Sequence, residues 1–186
     1  MPLTPRTEKY SKAMEFFSQP PHHSWKKLMV AICLVQLGDY LHAREQFSAA
    51  LRDFLEDRFW HGTSEPNWLI DTYMLADQSN LFSQVSKEIE AYKLDYRGRA
   101  LIALYAYATI CLLSGKDEEA QGYAQDLLTK PKVKDTFAMG KTIEAISAQN
   151  QEAFDAALDG LLKAHRGMAK FGGLRETPEG FLCLPA

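Results

Sequence analysis

Gly38-Asp39-Tyr40, followed by Ala43, Phe47 and Ala50, is answered later in the chain by Gly115-Lys116-Asp117 with Ala120, Ala124 and Leu127. Both stretches combine a turn glycine, polar residues at a helix start, and small or bulky apolar residues at three- and four-residue steps. Such spacing places the apolar residues on one face of a helix. Small residues there let a second helix approach closely, and larger ones fill the groove between the two. The pattern predicts helical hairpins, and its recurrence predicts a stack of them.

Working outward, strand signals are scarce and helical spacing dominates. A first helix is expected from Thr4 to Phe17, with Tyr10, Met14 and Phe17 on one face, ended by Pro20-Pro21. The second begins at Ser24 and carries Trp25, Leu28, Met29, Ile32 and Val35 to the turn at Gly38. Asp39 caps the third, whose stripe reads Tyr40, Ala43, Phe47, Ala50, Leu51, Phe54 and Phe59 before Gly62. Pro66 opens a fourth through Trp68, Leu69, Tyr73 and Leu75, and Ser79 opens a fifth with Phe82, Val85, Ile89 and Tyr92.

A strongly apolar helix is expected from Asp95 to Leu113, ended by Gly115. Asp117, Glu118 and Glu119 then crowd the next helix start, where carboxylates complement the macrodipole, and Pro131 closes that helix. Two more run from Asp135 to Ala148 and from Asn150 to Lys170. The hinges near Gly38, Gln78, Gly115 and Asn150 recur roughly every 35 to 40 residues, close to the period of two-helix solenoid repeats. The fold expected is therefore all-α, about nine helices in stacked antiparallel hairpins, forming one domain over residues 1–186. Residues 171–186 read as an end-packing tail, their apolar side chains suited to the last helix or to a second subunit in a homodimer.

The chain has 186 residues, 46% apolar and 11% aromatic, which suits a folded globular protein. Its net charge of -3 speaks against a phosphate-grasping, nucleic-acid-binding surface. The longest apolar run, Ala100 to Leu113, broken only by Thr109, is too short to span a membrane and suits a buried helix. The N-terminal residues contain no apolar core of signal-peptide type. Cys33, Cys111 and Cys183 are far apart and form no CxxC pair, which fits a reducing cytoplasm better than a disulfide framework.

Candidate chemistry is sparse. Asp53, Glu56 and Asp57 form an acidic cluster at helical neighbour spacing, with Trp60 and His61 just beyond. Paired carboxylates are raw material for metal binding or acid–base work, but no facing Glu-x-x-His pair accompanies them. The simplest reading is a solvated face crossed by Arg52 and Arg58, with His61 near the helix C-terminus, and an acidic, aromatic-flanked surface for a basic partner is favoured over catalysis. His165 lies on the stripe Leu158, Leu161, Leu162, Met168 and reads as a hydrogen-bonded structural residue holding the tail. The pair His22-His23 lacks any neighbouring ligand at metal spacing. Trp25 and Trp68 read as core rather than recognition anchors, and Lys130, Lys132 and Lys134 make only a local basic turn. No nucleophile elbow, phosphate loop, dinucleotide fingerprint or HExxH motif is present. No catalytic residue, metal ligand or cofactor site is assigned.

Two resemblances add to this reading. The series Gly38, Asp39, Tyr40, Ala43, Phe47, Ala50 resembles the second half of a tetratricopeptide repeat, although Lys27 stands where that repeat favours Trp. The C-terminal stretch Ala164-His165-Arg166, Gly172-Gly173-Leu174-Arg175 and Pro178 through Leu184-Pro185-Ala186 is similar to the end of the immunity protein 49 family. Those are all-helical bacterial proteins that bind and neutralise the toxin encoded beside them. The resemblance implies a non-catalytic cytoplasmic protein whose partner is a cognate toxin domain. On that picture Glu56, Asp57, Trp60, His61, Trp68 and Asp71 are the expected contact residues. The competing expectations are a repeat-type adaptor that docks a peptide or protein, and a helical enzyme built around His165 or the Asp53–His61 region.

Overall fold

Three interhelical turns share one hydrogen-bond pattern, and that pattern organises the molecule. In the computed structural model, which describes residues 5–20, 24–57, 65–96, 101–129 and 134–170, Gly38 N–H donates to the Val35 carbonyl and Asp39 N–H to Leu34. Gly115 and Lys116 donate likewise to Leu112 and Cys111, and Gln149 and Asn150 to Ile146 and Ala145. Each is a Schellman closure, in which a left-handed residue lets the chain reverse while satisfying the last helical carbonyls. Gly38 and Gly115 have φ of 83° and 69°, and Gln149 has φ of 52°. Asp77, at φ 51°, is left-handed at the remaining hinge, so such residues mark positions 38, 77, 115 and 149 at nearly even intervals.

The residue after each Schellman turn starts the next helix without an intervening loop. Asp39, Lys116 and Asn150 accept the first helical bonds, from Ala43, Ala120 and Phe154. Asp39 and Asn150 also cap with side-chain oxygens, on the N–H groups of His42 and Ala153. So short a connection leaves antiparallel packing as the natural arrangement of the two helices it joins.

Nine α-helices occupy the described residues: α1 (Pro5–Phe17), α2 (Ser24–Leu37), α3 (Tyr40–Asp57), α4 (Glu65–Ala76), α5 (Phe82–Tyr96), α6 (Leu101–Leu113), α7 (Asp117–Leu128), α8 (Lys134–Ser147) and α9 (Gln151–Lys170). A single 3₁₀ turn, Ser79–Leu81, leads into α5, so that helix opens three residues after the expected Ser79 start. Among the described residues there is no strand. The fold is all-α, with consecutive helices packed in the manner of stacked hairpins.

The chain divides into two compact units: Met1–Trp60 with Asp71–Val85, and His61–Ile70 with Ser86–Ala186. In the first, α1 packs on α2 and α2 on α3. Tyr10, Phe17, Ala31, Cys33, Ala43, Phe47, Ala50 and Leu51 are buried there, and Trp25 meets Phe17 edge-on at 5.7 Å between ring centres. In the second, α6, α7, α8 and α9 pack each on the next, and α6 also meets α8, as alternate helices of a stack do. Ala108 and Cys111 of α6, Ala120 and Ala124 of α7, and Ile143 of α8 form its inner cluster. Where α7 meets α8, a methyl group on Gly140 would lie 3.0 Å from Leu127 Cβ, so that approach needs the missing side chain.

Tyr40 and Leu75, both expected in the core, are exposed. Tyr40 is the first residue of α3, at the tip of the hairpin, where α2 has no further turn to cover it. Leu75 falls off the stripe that α4 buries through Leu69, Thr72 and Ala76, and it faces solvent with Met74. The apolar helix α6 begins at Leu101 rather than near Asp95, because α5 continues its own period past Val85, Ile89 and Tyr92 to Tyr96. Phe59 and the prolines at 21 and 131 lie outside the described residues.

Candidate functional site

The acidic cluster begins in the last turns of α3. Three residues of separation place Asp53 and Glu56 on neighbouring positions of one helix face. Their surroundings differ. Asp53 is half-buried and pairs with Lys27 of α2, Nζ to Oδ2 2.5 Å, so its charge is committed to joining the two helices. Glu56 is exposed, as is Arg52 beside it. Asp57 is the last residue of α3, and its side chain lies outside the described residues, as do Trp60 and His61.

Asp71 is exposed on α4, whereas Trp68, one turn earlier, is half-buried. Glu56 and Asp71 belong to the first compact unit and Trp68 to the second. Of the six expected contact residues, Glu56 and Asp71 are therefore exposed, while Trp68 has part of its surface covered.

Sequence reasoning passed over a second feature of the first unit. Tyr40 and Leu41 open α3, and Met74 and Leu75 lie near the end of α4; all four are more than half exposed. The helix segments carrying them are tied together. Arg44 pairs with Asp77, and the Ser48 hydroxyl donates to the carbonyls of Arg44 and Ala76, at 2.9 and 3.1 Å. Phe16, at the end of α1, is also more than half exposed. The available signal was the register: Met74 and Leu75 fall between the inward positions of α4, and Leu41 falls between those of α3. Large apolar groups presented to solvent suit contact with another protein.

The titratable groups are modestly perturbed. Asp39 and His42 form an exposed pair, Nδ1 to Oδ2 2.7 Å. The hydrogen bond and charge of Asp39 raise the His42 pKa, while bonds from the His42 ring and backbone lower that of Asp39. Burial pushes the Cys33 thiol up to about 11 and the Tyr107 phenol up to about 12, so both stay neutral at physiological pH. Cys111 is buried within the α6–α8 cluster.

The side chain of His165, and residues 22 and 23, lie outside the described residues. Among the described residues no group of three or more His, Cys, Asp or Glu is placed to hold a metal ion, and no helix is long and apolar enough to cross a membrane. No protein-family model matches this chain, and neither curated proteins nor solved structures gave a match.

Proposed function

We propose that this chain is a non-catalytic protein-binding module, an immunity protein that holds a cognate bacterial toxin domain in the cytoplasm and blocks it. The observation that carries the reading is a set of exposed apolar side chains on the first unit. Phe16, Tyr40, Leu41, Met74 and Leu75 are each more than half exposed, and all five belong to the first compact unit. Glu45, Glu56 and Asp71 of that unit are exposed as well. Exposed apolar groups and carboxylates on one unit suit a protein partner with a basic surface, and the cleft of a nuclease toxin is one such surface. The tail resemblance to immunity proteins supplies the toxin as the kind of partner.

The test is capture of the intact protein from its source cells at low salt, with the bound species identified by mass. The reading predicts one stoichiometric protein that arrests growth when expressed alone. Recovery of assorted cellular proteins or peptides would favour an adaptor. Recovery of a bound metal or metabolite would favour an enzyme.

A further inference from the structure

The repeated turn gives α3, α7 and α9 a common register. Counting from the capping residues Asp39, Lys116 and Asn150, the fourth, eighth and twelfth helical positions are Ala43, Phe47 and Leu51 in α3, Ala120, Ala124 and Leu128 in α7, and Phe154, Leu158 and Leu162 in α9. In α3 these positions are sealed, with Phe47 and Leu51 only 3% and 0% exposed. In α7 they are buried or half-buried. In α9 two of them are open: Leu158 is 39% and Leu162 38% exposed, while Phe154 is half-buried.

The helix is nevertheless apolar at those positions, although solvated leucines gain nothing from being there. Packing of α8 covers Ala157 but leaves this flank uncovered. Close by, Ile146 of α8 and Phe154 line a groove of about 480 Å³ at the turn between the two helices, and Ile146 is itself partly exposed.

We propose that residues 181–185 of this same chain, Phe181, Leu182, Cys183, Leu184 and Pro185, dock on the stripe Phe154–Leu158–Leu162 of α9 and cover it. Three considerations favour this segment over a second copy or a foreign partner. It is the next strongly apolar stretch after α9, so it stands where α8, together with α6, covers the equivalent positions of α7. It also reaches: from Lys170 back to the level of Leu158 is about 18 Å of helix, and ten connecting residues span up to roughly 35 Å. Tethering, finally, gives it an effective concentration on the order of millimolar, far above that of a free competitor. The inference is independent of the toxin-binding reading, because it concerns a different unit of the molecule.

Cys183 makes the proposal measurable. The two other cysteines, Cys33 and Cys111, are buried, so in the folded chain Cys183 is the thiol whose accessibility reports on the tail. The experiment is maleimide labelling of the intact protein, read site by site by peptide mass, with a synthetic peptide of residues 171–186 as the unprotected reference. Cys183 should react on the order of tenfold or more slowly in the protein than in the peptide. Protection should be unchanged when protein concentration is lowered roughly a hundredfold.

Leu158→Lys with Leu162→Lys should restore the peptide rate while circular dichroism still reports the helices. Phe181→Ser with Leu184→Ser should do the same without altering α9 at all. Labelling of the wild-type protein at the peptide rate would overturn the proposal. So would protection that survives both pairs of substitutions, protection lost on dilution (a second copy), or protection seen only with a bound partner.

Discussion

Lys27 stands where a tetratricopeptide repeat would place a tryptophan, and the reason lies across the hairpin. Its ammonium meets Asp53 of α3, so an ion pair between neighbouring helices takes the place of an aromatic wedge. Sequence spacing grouped Asp53 with Glu56 and Asp57 because it registers positions on one helix and not what the adjacent helix brings to them. Glu56 and Asp57 remain the residues to test for steering. Reversing both, Glu56→Lys with Asp57→Lys, should slow association with the partner by roughly three- to tenfold at low ionic strength, with little change in dissociation. Unchanged association kinetics would remove these residues from the interface.

The Asp39–His42 pair carries a pH signature of its own. With its pKa raised, His42 contributes stability in full below its ordinary value of 6.5 and loses it as pH rises through the raised value. Asp39, lowered, contributes above its ordinary value of 3.8 and loses that as pH falls through the lowered one. The pair's contribution is therefore greatest between those limits. His42→Gln should melt below wild type at about pH 5 and converge with it toward about pH 9. The gap will be small, since both groups are solvated. A pH-independent gap would mean that the ring's packing, not its charge, matters.

Among the elements, the hinges were the most legible part of the sequence. Gly38 and Gly115 announce left-handed turns because glycine alone adopts that conformation without strain. At the other two hinges Asp77 and Gln149 occupy the same conformation, and only the interruption of apolar spacing betrayed them. This predicts opposite outcomes at equivalent turns. A methyl group on Gly115 meets nothing within 4 Å, so Gly115→Ala should cost about 1 kcal/mol through backbone strain alone. Gln149→Gly relieves that strain but loosens the unfolded chain, for a net gain of a few tenths to about 1 kcal/mol. Urea titrations of both variants check the pair; the same sign for both would refute the shared-turn account. Less legible were the 3₁₀ entry to α5 and the outward turn of Leu75, since an apolar residue off the stripe looks, in one dimension, like part of it.

At the scale of the whole molecule, composition and periodicity sufficed for an all-α stack of hairpins, because three- and four-residue spacing is imposed by helix geometry itself. Function is written less plainly. A binding surface needs no fixed constellation of residue types, only exposed groups that match a partner absent from the sequence. Glu56 and Asp71 were legible as acidic surface positions. Tyr40 was not, because its exposure depends on where α2 ends, and Leu41, Met74 and Leu75 were missed because they sit just off the buried stripes. The central claim is that this surface neutralises a toxin, and it is tested most directly by growth. The captured partner should be expressed in a naive host with and without this chain. The account predicts that the partner alone arrests growth and that co-expression restores it through a 1:1 complex. A partner harmless by itself, or an arrest that persists although the complex forms, would contradict the account.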